Sequence, residues 1–120
     1  MNKEQALQSF WASFTIPAYD ESTVPDDAQL PYITYSVSIN DFKNPVVMTA
    51  NIWYRDTSWN AITAKFAEIE SALGIGGKVL HYEDGALWLY KGSPFAQRVR
   101  DEDDMIRRIY LNIEAEYIGK

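Results

Sequence analysis

Residues 30–39, LPYITYSVSI, decide the fold of this chain because they alternate in the manner of a half-buried β-strand. Successive side chains of a strand point to opposite faces of its sheet. From about Tyr32 to Ile39, one side would carry Ile33, Tyr35, Val37 and Ile39, and the other Tyr32, Thr34, Ser36 and Ser38. The first side is apolar and the second is mixed, which predicts a sheet with one face against a core.

A second strand is predicted from about Val46 to Arg55, after a turn at residues 40–45, and it too has one apolar and one mixed face. The segment before the first strand, residues 15–31, contains three prolines and four acidic residues, so we expect a solvated loop. A loop of this length is uncommon in a compact domain and is often functional.

Two helices are predicted, one before and one after this pair of strands. In the first, from about Lys3 to Phe14, apolar residues recur three and four positions apart. The second begins after Thr57 or Ser58, whose hydroxyl can accept an N-terminal amide hydrogen, and its apolar stripe ends at Leu73.

A hairpin is predicted around Asp84-Gly85, a two-residue loop that suits a type I′ turn between strands at 79–83 and 86–90. This register would place Leu80 opposite Leu89. Both residues would then lie on the same, half-buried face.

The remaining residues complete the predicted fold. Residues 92–105 show no period and are predicted to be a mobile loop, and a last strand is expected from about Ile106 to Tyr117. The fold class is therefore α+β. We expect one mostly antiparallel sheet of about five strands with two helices on one face, in the order α-β-β-α-β-β-β, as a single domain over residues 1–120.

Composition narrows the classes of function. Seventeen acidic and eleven basic residues give a formal net charge of −6, which disfavours binding to a phosphate backbone. The chain has no cysteine, so it forms neither disulfides nor thiolate metal sites. No apolar run is long enough to span a membrane, and the N-terminus lacks the pattern of a signal peptide, so we expect synthesis and residence in a cytoplasm.

Three features resemble chemical sites, and each has a simpler interpretation. His81 is the only histidine, and no nucleophile is placed beside it, so catalysis is not expected. Residues 74–78, GIGGK, follow a helix and precede a strand, the reverse of a phosphate-binding loop, so we predict a helix cap and a turn. The contiguous acids of residues 101–104 lack the alternation of a calcium loop, so we expect a solvated loop or an electrostatic contact with a partner in preference to an ion site. No catalytic residue, cofactor or metal site is predicted.

The mixed face of the sheet is a candidate surface for a subunit or partner, because Trp, Tyr and Arg are enriched at interfaces. Ordinary scatter of exposed aromatic residues is the competing interpretation. The candidate interface residues are Trp53, Arg55, Tyr110 and Asn112 on this face, with Arg98 and Arg100 in the charged segment before the last strand.

Four segments, in this order and spacing, resemble the tail terminators of long-tailed bacteriophages, also called tail-completion or head-tail joining proteins. They are PDD at residues 25–27, LPYITY at 30–35, IWYR at 52–55 leading into Ser58-Trp59, and IRR at 106–108. They extend over most of the chain, and none is a catalytic signature.

The resemblance implies a structural protein of the virion, not an enzyme. Such a protein would assemble with copies of itself into a ring, by analogy of six subunits, at the junction of tail and head. It would cap the tail tube, end its polymerisation and present a surface to the head connector. DNA would pass through the ring without specific binding. The acidic side chains of Asp101, Glu102, Asp103 and Asp104 are candidates to line the channel and repel phosphates.

A second class of function is also compatible with the acidic composition. A small inhibitor or decoy that binds a basic protein surface needs only negative patches. Native mass would discriminate the two, because an inhibitor is expected as a monomer or dimer and a terminator as closed rings at high concentration or on the tube.

Overall fold

The computed structural model describes residues 1–37 and 45–118. Its helices and strands are, in chain order, α1 (Lys3–Ala12), β1 (Ala18–Asp20), β2 (Tyr32–Tyr35), β3 (Val46–Arg55), α2 (Asn60–Leu73), β4 (Lys78–Tyr82), β5 (Gly85–Val99) and β6 (Ile106–Ile118). The strands form one sheet in the order β1-β2-β3-β6-β5-β4. All neighbours are antiparallel except β1 and β2, which are parallel.

Both helices cover the same face of this sheet, as predicted. The central pair of strands places Ala50 opposite Leu111 and Ile52 opposite Ile109, and these side chains are buried. They join one hydrophobic cluster with Leu7 and Phe10 of α1 and with the apolar stripe of α2. A fully buried aliphatic side chain contributes about 1.5–3 kcal/mol, so this layer supplies most of the stabilisation.

The helix α1 begins and ends close to its predicted bounds. The Asn2 side chain accepts from the Gln5 amide, and the Gln5 side chain accepts from the Asn2 amide, which forms a capping box. The helix ends at Ala12, two residues before the predicted end, and Phe14 nevertheless packs into the core.

The segment 15–31 is not entirely a loop, because it contains the edge strand β1. The three residues of β1 are too few to show a period. The chain crosses over after β1, so β1 and β2 pair in parallel. The sheet therefore has six strands where about five were predicted. The observed order is α-β-β-β-α-β-β-β.

The predicted loop at 92–105 is also partly wrong, because β5 continues to Val99. Lys91 pairs with Ile113 and Ala96 with Leu111, so residues 92–95 form a bulge opposite Asn112 alone. The bulge interrupts the two-residue period that reveals a strand. A Cβ atom on Gly92 would lie 2.8 Å from the Asn112 carbonyl oxygen, which explains the glycine.

The β4–β5 hairpin differs from its predicted register by two residues. Tyr82 pairs with Gly85 and Leu80 with Leu87, so the loop residues are Glu83 and Asp84. Gly85 belongs to the strand. Glycine is favoured at this position because φ is +150° and because the Tyr117 ring occupies the space that a Cβ atom would take. A shift of two keeps each side chain on its face, so the apolar pattern alone did not detect it.

Two other elements, β2 and α2, are shorter than predicted. The first predicted strand is observed only as Tyr32–Tyr35, and its last residues, Ser38 and Ile39, lie outside the described part of the chain, as do residues 40–44 of the predicted turn. Trp59 is the N-cap residue of α2, although the Ser58 hydroxyl does accept the Asn60 amide at 3.0 Å.

Neither helix in the described residues has the length and apolar character that crossing a membrane requires.

Candidate interaction surfaces

The face of the sheet opposite the helices carries four of the predicted interface residues. In β3 and β6 the outward positions alternate with the buried ones, so Asn51 pairs with Tyr110 and Trp53 with Arg108. Trp53, Arg55, Tyr110 and Asn112 therefore lie on this helix-free face, as the alternation predicts. Their role in an interface stays a prediction.

A polar cluster orders the centre of the helix-free face. The Trp53 indole Nε1 donates to Thr34 Oγ1 at 2.9 Å, and Arg108 Nε donates to Asn51 Oδ1 at 2.7 Å. The Arg108 guanidinium carbon lies 4.7 Å from the centre of the Trp53 ring, a cation–π contact. Thr34 and Asn51 are only 7% exposed although no helix covers them, because these larger side chains lie over them.

This cluster holds Trp53 and Arg108 in fixed conformations before any partner arrives. A side chain that is already ordered loses little conformational entropy when it binds. In the described chain these intrachain contacts order Trp53 and Arg108 on the helix-free face.

Two aromatic pairs flank this cluster. Tyr19 and Tyr32 meet edge to face at one side of the sheet, with ring centres 5.6 Å apart, and Trp88 lies 4.3 Å from Tyr90 near the other side. Burial and, less strongly, the negative charges of Glu114 and Glu116 raise the pKa of Tyr90. A hydrogen bond with the Glu116 side chain raises the pKa of Tyr90 in the same direction.

Arg98 does not lie with the other predicted interface residues. It pairs in register with the buried Ile109, and its guanidinium carbon stands 4.6 Å from the centre of the Trp59 ring on the helix side. Arg107 lies 5.4 Å from the same ring. Together with Arg100 these side chains line an open cleft of about 480 Å³, which we call the Trp59 cleft.

Arg107 ties the start of β6 to the chain before α2. Its Nη2 donates to the Thr57 carbonyl at 2.9 Å and its Nη1 to the Asp104 carbonyl at 2.7 Å. The Nε atom is buried and has no hydrogen-bond partner among residues 1–37 and 45–118. These contacts fix the Trp59 cleft at one end of the sheet.

The four acidic residues of the β5–β6 turn are not equivalent. Asp101 Oδ1 accepts the Asp103 amide, and Asp103 Oδ1 accepts the Met105 amide, so both carboxylates build the turn. Asp103 Oδ2 also lies 3.4 Å from Arg55 Nη1. The Met105 amide and, to a lesser degree, Arg55 lower the pKa of Asp103.

Glu102 and Asp104 are exposed, and in the described chain neither carboxylate has a hydrogen bond or ion pair. Among the four predicted channel-lining acids, these two are the ones whose charge is not used by the turn. The prediction that the group faces a channel is untested.

The buried Lys65 is a feature that the sequence pattern did not reveal. Its Nζ donates to the Phe14 carbonyl at 2.6 Å and to Thr15 Oγ1 at 2.9 Å, and it pairs with Glu68. It thus joins α2 to the end of α1. This is a structural role, because all its contacts lie within the fold.

The structure shows the surroundings of His81 and of residues 74–78. His81 is exposed on β4, and no group of three or more metal-ligating side chains occurs in residues 1–37 and 45–118. Gly74, with φ +65°, donates its amide to the Glu70 carbonyl and closes α2, so residues 74–78 form the predicted cap and turn.

A comparison with solved structures finds this fold in a phage-like virion particle. The chain has the fold of a chain in the virion of a native gene transfer agent particle, with a TM-score of 0.66 and 22% sequence identity. The match covers 97% of this chain and 91% of the other. No protein-family model and no curated protein matches the sequence.

Proposed function

We propose that this protein is a tail terminator of a long-tailed phage or a phage-derived particle. In this role a ring of copies caps the finished tail tube, ends its polymerisation and joins it to the head connector. The observation that supports the proposal is the fold shared with a virion chain along nearly the whole length, together with the four resembling segments. The helix-free face, with its ordered Trp53 and Arg108, gives such a protein a surface for a neighbouring subunit or for the tube.

The channel function follows from the same proposal. If the β5–β6 turns face the lumen of the ring, Glu102 and Asp104 supply the negative charge that keeps DNA from binding. Asp101 and Asp103 hold the shape of the turn that presents them.

Removing the reading frame from its genome of origin tests the proposal. Electron micrographs should then show tails of irregular length and heads without tails, because nothing ends tube growth or joins the two parts. Expression of the intact chain from a plasmid should restore joined particles, which controls for effects on neighbouring genes. Tails of normal length, properly joined to heads in the absence of the protein, would overturn the proposal.

A further inference from the structure

The charges of the chain are divided between two sides of the sheet. Between Glu4 and Phe42 the sequence contains no Lys or Arg, and this stretch includes the edge strand β1 and the crossover after it. We call residues 20–27 the acidic edge, because they carry Asp20, Glu21, Asp26 and Asp27 beside β1.

The opposite part of the sheet is basic. From Gly85 to Arg100 the sequence contains no Asp or Glu. The strand β4 covers only Gly85–Leu89 of β5, so the rest of β5 borders no strand on that side within the described chain. We call residues 91–100 the basic edge, because they carry Lys91, Arg98 and Arg100.

Charges on both edges are available to a partner. Glu21, Asp26 and Asp27 are exposed, and the described residues give them no ion pair. On the basic edge, Arg98 and Arg100 are exposed, whereas Lys91 Nζ lies 3.7 Å from Glu70 Oε2.

The acids closest to the basic edge neutralise it only in part. Asp103 is engaged with Arg55, and Asp101 accepts an amide of its own turn. Asp104 lines the Trp59 cleft with an uncommitted carboxylate beside Arg98, which also contacts the Trp59 ring, and Arg100, and both arginines remain exposed.

We propose that the basic edge of one copy binds the acidic edge of the next copy, head to tail. The inference rests on the proposed function, which requires a ring. Two different patches of one chain that complement each other form the heterologous contact from which rings close. Two like edges repel each other, which disfavours a symmetric dimer through either edge.

The contact acts through side chains and not through continuation of the sheet at β1. On the open side of β1, the Ala18 carbonyl accepts from Gln8 Nε2 at 3.2 Å. The Asp20 carbonyl accepts the Thr23 amide at 3.0 Å. Because these acceptors are occupied, β1 does not offer them to another strand, and charge selects the partner.

Reciprocal charge reversal tests this contact. One variant carries Arg98→Glu and Arg100→Glu, and the other carries Asp26→Lys and Asp27→Lys. Each variant alone should self-associate about tenfold more weakly than wild type or worse, because like charges then meet at the contact. An equimolar mixture should recover association, since each variant still offers the edge that the other needs. Sedimentation equilibrium and native mass measure both effects.

The mixture also controls for folding, because two misfolded chains would not restore each other. Glu83→Lys with Asp84→Lys changes net charge as much as the acidic-edge variant but lies in the exposed β4–β5 turn, outside both edges and the helix-free face, so it should leave association unchanged. If wild type is monomeric in solution, the same proteins are scored by their incorporation into particles.

Two results would overturn the contact. One is wild-type association by both single-edge variants, and the other is a mixture that fails to recover. Either result leaves the proposed function standing if the deletion still produces irregular tails. Conversely, a successful charge exchange with normal tails in the deletion would keep the contact and remove the function.

Discussion

The two faces of the sheet are made from alternate residues of the same strands, yet they exclude water in different ways. On the helix-covered face Leu111 is fully buried among carbon atoms. On the helix-free face Asn51 is 7% exposed, and it is covered by Arg108, to which it is hydrogen-bonded. The first face stabilises the fold, and the second orders polar side chains at a surface that remains accessible.

The largest effect is expected on the covered face. Leu111→Ala should lower the free energy of unfolding by about 2–5 kcal/mol, because it removes buried methyl groups and leaves a cavity. Urea unfolding measures the loss. Tyr110→Ala, the adjacent residue on the helix-free face, should cost less. Equal losses would contradict the difference between the faces.

A smaller but clear effect is expected at the polar cluster. Asn51→Ala leaves Arg108 Nε without its acceptor, and we expect a loss of about 1–3 kcal/mol in the same unfolding measurement. Asn112→Ala on the same face is the matched control, with an expected change within about 0.5 kcal/mol, because the Asn112 side-chain amide makes no hydrogen bond to any other described residue. A cost at Asn112 as large as at Asn51 would show that the cluster has no special role.

The smallest effect concerns the turn at the end of both faces. The pKa of Asp103 is lowered in the folded chain, so its ionised form stabilises folding above the unfolded value of 3.8. That contribution disappears as pH falls through the lowered, folded pKa. Asp103→Asn should therefore be less stable than wild type at neutral pH, and the difference should vanish in acid. Thermal unfolding of both proteins, measured between pH 2 and about 7, tests whether the difference in stability disappears in this way.

Glu102→Gln is the matched control for this titration. Glu102 neighbours Asp103 in the chain but makes no side-chain contact in the described residues, so its substitution should leave the pH profile close to that of wild type. A difference between Asp103→Asn and wild type that persists below the folded pKa would mean that the charge is not its cause.

Elements with an uninterrupted period could be predicted from the sequence. The strand β3 is observed at its predicted bounds, and α2 and β6 lie within two residues of theirs. The strand β1 was missed because three residues carry no period, and the end of β5 was missed because the bulge at 92–95 interrupts its alternation. The hairpin register was wrong because a two-residue shift does not change the face pattern.

The candidate surfaces were predictable only in part. Alternation alone placed Trp53 and Tyr110 on the helix-free face. The hydrogen bonds of the polar cluster around Trp53 join the strands β2, β3 and β6. They depend on how these strands pair, and the local sequence pattern does not reveal that pairing. The Trp59 cleft brings Arg98 beside a ring from a distant segment, a contact that no local spacing indicates.

The bulge in β5 makes the length of this strand adjustable. Residues 92–95 stand opposite the single residue Asn112, while Lys91 and Ala96 on either side keep regular partners. Residues could therefore be added or removed at Ser93 and Pro94, both exposed, without moving any pair of the core. A short peptide epitope inserted there lies within the basic edge, so it should leave the fold intact and weaken the proposed contact with the next copy.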